Sequence, residues 1–121
     1  MFTLRKIEGG RINVFEPVVY PVGSSAVTEG EALVLSSGKL VKCGQEATPT
    51  FIALASGAAN AEIPVGRVES NQVYEVSAVS GVTVGTKYKL NTDADGIVAT
   101  AASTGGAEVV AINTDYIYVR F

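Results

Sequence analysis

Few residues of this chain have the types and spacing that chemistry needs, and the sharpest group is Asn91-Thr92-Asp93-Ala94-Asp95-Gly96. Side-chain oxygens at alternate positions followed by glycine copy the first half of an EF-hand calcium loop, where a hard cation gathers carboxylate and amide oxygens. The second half does not follow, because Ala102 stands where the bidentate glutamate belongs. Asx-rich hairpin turns that end in glycine give the same letters with no ion, since Asn and Asp side chains bond their own backbone. Histidine is absent, which removes Ser-His-Asp and Cys-His nucleophilic sites, histidine general bases and most zinc sites. Cys43 follows Lys42, a neighbour that favours thiolate, but a lone cysteine in a strand reads as structural. It has no partner for an intrachain disulfide. Gly9-Gly10 and Gly105-Gly106 are bare pairs without the Lys-Ser/Thr of a phosphate loop. The acids sit at turns and polar strand positions, with no pair placed for acid–base work. The chain therefore reads as a non-enzyme, with no catalytic, cofactor-binding or metal residue and no cofactor.

The elements that would position these residues are strands. Val, Ile and Thr make up 35 of the 121 residues, and β-branched side chains suit a pleated surface better than a helix. Thirteen glycines and four prolines punctuate short strands. The opening reads as two strands, 2–7 and 11–15, about a turn at 8–10; Pro17 and Pro21 bracket an edge strand or extended arm, since each proline removes a ladder donor. Val27-Thr-Glu-Gly-Glu-Ala-Leu-Val-Leu35 then matches Val82-Thr-Val-Gly-Thr-Lys-Tyr-Lys-Leu90, with Val, Thr, Gly and Leu recurring at an offset of 55. A turn and two further strands follow each copy: 39–41 and 51–53 in the first, 97–99 and 109–111 in the second. Shared hairpin grammar is the alternative source of those identities. The repeat predicts Leu35 and Leu90 as equivalent buried positions. Strands at 63–68, 73–78 and 116–121 complete the set, and 53–61 reads as a loop with one helical turn at most. The predicted fold is all-β: a small β-tulip-like barrel over 23–121, made of two related β-meander halves, preceded by an extended N-terminal arm over 1–22.

Charged residues are only 17% of the chain, against about 25% in an average soluble domain. Either partners cover part of the outer surface, or Ala and Thr replace charges on an exposed face. The net charge of −3 argues against nucleic acid, which calls for a basic stripe. No apolar run approaches the ~20 residues of a membrane span, and the N-terminal residues lack a signal-peptide apolar segment, so synthesis in a cytoplasm is expected.

The stretches 27–35, Gly38-Lys-Leu-Val41, Phe51-Ile-Ala-Leu-Ala55, 82–90, 91–98, Val109-Val-Ala-Ile-Asn113 and Tyr118-Val119 together resemble the small head-decoration, or capsid cement, proteins of tailed bacteriophages. The resemblance covers about residues 15–121 and rests on turn-and-strand patterns. It implies a structural virion protein on the capsid exterior, made in the host cytoplasm, that bridges major capsid subunits as a homotrimer. Residues Phe2, Leu4, Arg5, Lys6, Ile7 and Arg11 are the expected capsid-binding positions: the apolar three would bury against a capsid sheet edge by strand addition, and the basic three would meet acidic capsid surface or remain solvated. Other phage modules, such as a tail or fibre subunit, share this grammar. A carbohydrate-binding β-module would need an aromatic platform, for which Tyr116 and Tyr118 are the candidates.

Overall fold

A computed structural model describes residues 1–7 and 17–121. Eleven strands are present among them: β1 (Thr3–Ile7), β2 (Pro17–Pro21), β3 (Ala32–Ser36), β4 (Lys39–Lys42), β5 (Phe51–Ala53), β6 (Glu62–Arg67), β7 (Gln72–Ser77), β8 (Lys87–Leu90), β9 (Ile97–Ala101), β10 (Ala107–Ile112) and β11 (Tyr116–Arg120). They form two antiparallel sheets, ordered β2-β6-β5-β3-β4 and β1-β7-β11-β10-β8-β9. The all-β expectation holds, and 53–61 contains no helical turn. The expected second strand at 11–15 lies outside the described residues.

With β1 set aside, the second sheet reads β7-β11-β10-β8-β9, the order of the first with every strand number raised by five. Corresponding backbone bonds recur. The Gly30 amide donates to Ala53 O and the Gly85 amide to Val109 O, each at 2.8 Å. Cys43 N bonds Ala32 O at 2.8 Å, and Ala102 N bonds Lys87 O at 3.0 Å. Gly30 and Gly85 both take left-handed backbone, with φ of 85° and 90°, a conformation in which a Cβ crowds the following carbonyl. The repeat is thus one of backbone architecture.

The halves are not β-meanders. In each, the third strand of the expected run returns to the inner strand of the hairpin and not to its neighbour in sequence: β5 pairs with β3, and β10 with β8. The loops at 43–50 and 102–106 carry the chain across. Nor does either sheet close into a barrel. The end strands of the five-stranded sheet touch at a single parallel bridge, Val22↔Leu40, with the Gly23 amide on Leu40 O at 2.9 Å. In the other sheet the free side of β7 is taken by β1, so β7 is not available to meet β9.

The described parts of the expected arm are built into the two sheets. β1 pairs antiparallel with β7 and β2 with β6. The physical reason is burial: Phe2 is 1% exposed, and its ring stacks edge-on against Tyr74 and Phe121, with centroids 6.4 and 5.2 Å away. Ordering five residues of backbone is opposed by roughly 1–2 kcal/mol each; ladder bonds to β7 and removal of a phenyl ring from water offset it within the chain itself.

Each half has its own apolar interior. Val22, Val27, Leu33, Leu40, Phe51, Ile63 and Val65 fill the first. Tyr74, Val76, Tyr88, Leu90, Ile97, Val109, Ile117 and Val119 fill the second, joined by Phe2, Ala32, Cys43 and Ile52 from outside it. The two interiors are stitched by backbone: Ala32 N to Ala94 O at 2.7 Å, Leu90 N to Gln45 O at 2.8 Å and Gly106 N to Ala47 O at 3.1 Å.

The copies differ at the position expected to be most alike. Leu90 is fully buried, whereas Leu35 is 39% exposed. β3 and β4 are joined by a tight turn in which Ser37 and Gly38 have φ of 51° and 78°, too short to cover Leu35. The longer Asn91–Gly96 turn does fold back, burying Ala94, and Gln45 Nε2 donates to Leu90 O at 3.1 Å.

Candidate partner-binding surface

The residues expected to bind a partner fall into three situations. Phe2 and Leu4 face the chain's own interior, Phe2 within it and Leu4 packed against it. Arg5 lies on the opposite face of β1, where Nε and Nη2 donate to the two carboxylate oxygens of Glu75 at 3.0 and 3.3 Å. That fork holds the guanidinium pKa above its usual value; the pair is surface-exposed and solvent screening leaves it a weak contributor to stability. Lys6 and Ile7 occupy β1 opposite Val73 and Gln72, with a bulge between Leu4 and Lys6. Arg11 lies outside the described residues. Phe2 and Arg5 therefore do not share one surface: Phe2 is in the core with Leu4 packed against it, and Arg5 is bound to Glu75.

The pairing of β1, β7, β11, β10 and β8 instead assembles an outer face. Thr3 and Tyr118 lie opposite Glu75, Tyr116 opposite Ser77, and Arg120 and Lys87 opposite Glu108, and directly opposed residues share a face. Arg120 Nε bonds Glu108 Oε1 at 3.1 Å. Charges of both signs thus alternate across the strands, and the face has no single-sign field. Tyr116 and Tyr118 meet at 5.5 Å with their planes at 73°, an edge-on contact that offers a sugar ring no flat shared platform. Burial pushes the Tyr118 hydroxyl pKa up, helped by its hydrogen bond with Tyr116.

The Asn91–Gly96 turn is held by its own groups. Asn91 Nδ2 donates to Asp95 Oδ1 at 2.7 Å, and the Asp95 amide donates to Asn91 Oδ1 at 3.0 Å. Asp93 points away and pairs with Lys42 at 3.6 Å, while the Met1 ammonium reaches the Asp95 carbonyl. The carboxylates that an ion would need together are engaged separately, and among the described residues no group of three His, Cys, Asp or Glu is gathered. Lys42 also binds the buried Glu31 carboxylate at 3.3 Å, whose other oxygen accepts the Thr28 amide at 2.7 Å. This Glu31–Lys42–Asp93 chain ties the first half to the turn of the second.

Cys43 is buried, and desolvation pushes its thiol up to about 11, the opposite of an activated nucleophile. Two features escaped sequence reasoning. Gln72, buried, accepts the Glu69 amide at 2.8 Å and donates to Arg67 O at 3.2 Å, and its Oε1 also accepts the Tyr74 hydroxyl. The Phe2–Tyr74–Phe121 cluster joins both chain ends to β7. The strand expected at 73–78 contains Tyr74, but no sequence signal gave its partners. A shallow groove of about 280 Å³ runs beside this cluster, lined by Phe2, Leu4, Glu29, Ile52 and Leu54 among others; Glu29 is the one acidic side chain in that lining.

No family model and no curated protein matches the chain. Among solved structures, it is similar to the N base of the head fiber gp8.5 of bacteriophage phi29. The TM-score is 0.59 at 17% sequence identity, and the match covers 87% of this chain and 93% of that one. At that identity the likeness is one of fold, and it is a fold used in a phage head-associated protein, consistent with the resemblance to head decoration proteins read from the strand-and-turn motifs.

Proposed function

We propose that this protein is a non-catalytic structural component of a tailed-phage virion that binds the outer surface of the assembled head and stabilises it by bridging major capsid subunits, acting as a homotrimer. The observation that carries the reading is the fold shared with a head-fiber base over nearly the whole length of both chains. The chemistry is in keeping with it: there is no histidine, the one thiol is buried and disfavoured as thiolate, and the groove beside Phe2 has no acid–base pair in its lining. A protein that binds the finished shell and not its free subunits adds its binding free energy to shell stability, and several modest contacts per assembly give high avidity. Phe2 is occupied internally and Leu4 packs against the same interior, which favours the outer faces of the two sheets as the surfaces that bind.

Heads of the parent phage lacking this protein, mixed with the purified chain, test the reading. The protein is expected to co-sediment with heads, to appear as regular surface features by negative-stain microscopy, and to raise the temperature at which heads open. Absence of co-sedimentation at saturating concentration would overturn it. The fold of a fiber base also favours a second reading, in which this module anchors a fibre; extended projections on decorated heads, in place of compact knobs, would distinguish it.

A further inference from the structure

We infer that Asp95–Gly96 is a site of spontaneous backbone isomerisation to isoaspartate, and that Asn91 is the residue that holds this reaction in check.

Of the eight Asp and Asn residues in the chain, Asp95 alone precedes a glycine. A side-chain carboxyl closes onto the next backbone nitrogen most readily there, because glycine has no Cβ to shield that nitrogen. The Gly96 nitrogen attacks Cγ of the Asp95 carboxylic acid. The N–Cγ bond forms, a Cγ–Oδ bond breaks, and the amide proton leaves with the hydroxyl as water. Water then opens the five-membered succinimide. Addition at Cγ restores aspartate, whereas addition at the main-chain carbonyl carbon of Asp95 breaks its bond to nitrogen and routes the backbone through Cβ. The water lost in the first step returns in the second, so nothing else is consumed.

The fold grips this dipeptide at three points, all on Asn91. Asn91 Nδ2 donates to Asp95 Oδ1 at 2.7 Å, the Asp95 amide donates to Asn91 Oδ1 at 3.0 Å, and the Asn91 amide donates to Gly96 O at 2.9 Å. Attack needs Cγ about 3–3.5 Å from the nitrogen, with the carboxyl presented face-on. The side chain must therefore turn away from Asn91, and the peptide that carries Gly96 O must rotate. Each motion breaks a bond of the grip. The same geometry keeps the labile residue in place, since a Cβ on Gly96 would stand only 3.2 Å from Asn91 Nδ2. Alternate oxygens followed by glycine thus serve here to restrain one another.

The turn is also the joint between the halves, where Ala94 O accepts the Ala32 amide at 2.7 Å. A backbone lengthened by one carbon at position 95 would shift Ala94 O relative to Gly96 O and disturb that joint. The hairpin at the equivalent place in the first half turns at Ser37–Gly38 and contains no aspartate, so the architecture itself does not require the labile pair.

The test is isoaspartate formation in the folded full chain, stored warm at neutral pH below the melting transition of every variant. It is read by enzymatic methyl transfer to the isoaspartyl carboxylate and located by peptide mapping. Wild type is expected to accumulate it slowly at residue 95. Asn91→Ala should do so at least about fivefold faster, the factor that one ordinary hydrogen bond supplies, and adding Gly96→Ala to that variant should abolish the gain. Asp93→Ala, in the same turn but outside the grip, should behave as wild type. Val65→Ala, which truncates a fully buried side chain of the first half, controls for loss of stability alone. An unchanged rate in Asn91→Ala, an equal acceleration in Val65→Ala, or isoaspartate mapped away from residue 95 would overturn the inference.

Discussion

Leu35 and Leu90 occupy equivalent places in the repeat, yet their side chains have different neighbours, and a pair of substitutions makes the difference measurable. Leu90→Ala should cost about 2–5 kcal/mol, the range for a buried leucine, while Leu35→Ala, on an exposed strand end, should cost under about 1 kcal/mol; urea unfolding midpoints check both. Glu46 gives a second residue-scale expectation. The Ser103 amide donates to its carboxylate at 2.7 Å, and that bond, with the Lys89 charge behind it, lowers its pKa. A carboxylate with a depressed folded-state pKa contributes stability above its unfolded pKa and loses it as pH falls through the folded value. Stability should therefore decline on acidification below the ordinary glutamate range, and Glu46→Gln should flatten that part of the profile; urea midpoints measured against pH decide it.

At the scale of elements, the paired turns at Gly30 and Gly85 are the repeat's signature, and alanine at each separates strain from crowding. Both residues have positive φ, so alanine carries a conformational cost of about 1–2 kcal/mol at either site. Nothing lies near a Cβ on Gly85, whereas one on Gly30 would meet the Met1 side chain at 2.1 Å. Gly30→Ala should thus be the more destabilising in thermal melts, and its excess should shrink when Met1 is replaced by a smaller residue in the same chain. β1 supplies the other element-scale expectation. Its amides, laddered to β7, should show hydrogen-exchange protection in the free protein comparable to the β7–β11 ladder, and Phe2→Ala should lower stability by about 3–5 kcal/mol. Exchange at Thr3–Ile7 as fast as in an unstructured peptide would return this segment to the role of a free arm.

For the whole molecule, the Asn91–Gly96 turn matters as a joint between halves. Its Ala94 carbonyl takes the Ala32 amide at 2.7 Å, and its Asp93 reaches Lys42. Because its oxygens are already committed to these bonds, unfolding midpoints in excess chelator and in millimolar calcium should coincide; a rise with calcium would reveal a ligand bound by the native state. Asp93→Ala should weaken the joint only slightly, as expected of an exposed ion pair.

Local regularities carried much of this fold in the sequence. Alternation and β-branched composition gave the strands, because side chains on a pleated chain point to opposite faces with a period of two. The recurrence of Val, Thr, Gly and Leu gave the two halves, because the left-handed glycine before each inner strand is a backbone requirement. The same offset carried back from Gln72 falls on Pro17, which would have assigned β2 to the first half; the flanking prolines drew the reading toward an arm. Which strands neighbour one another, whether a sheet closes, and where Phe2 goes were decided by tertiary structure. Those outcomes depend on long-range ladders and on competition for shared apolar volume. Neither leaves a periodic trace in the sequence: Phe2 is an apolar residue near the chain's first strand, and only Tyr74 and Phe121, brought to it by β7 and β11, make it part of the core.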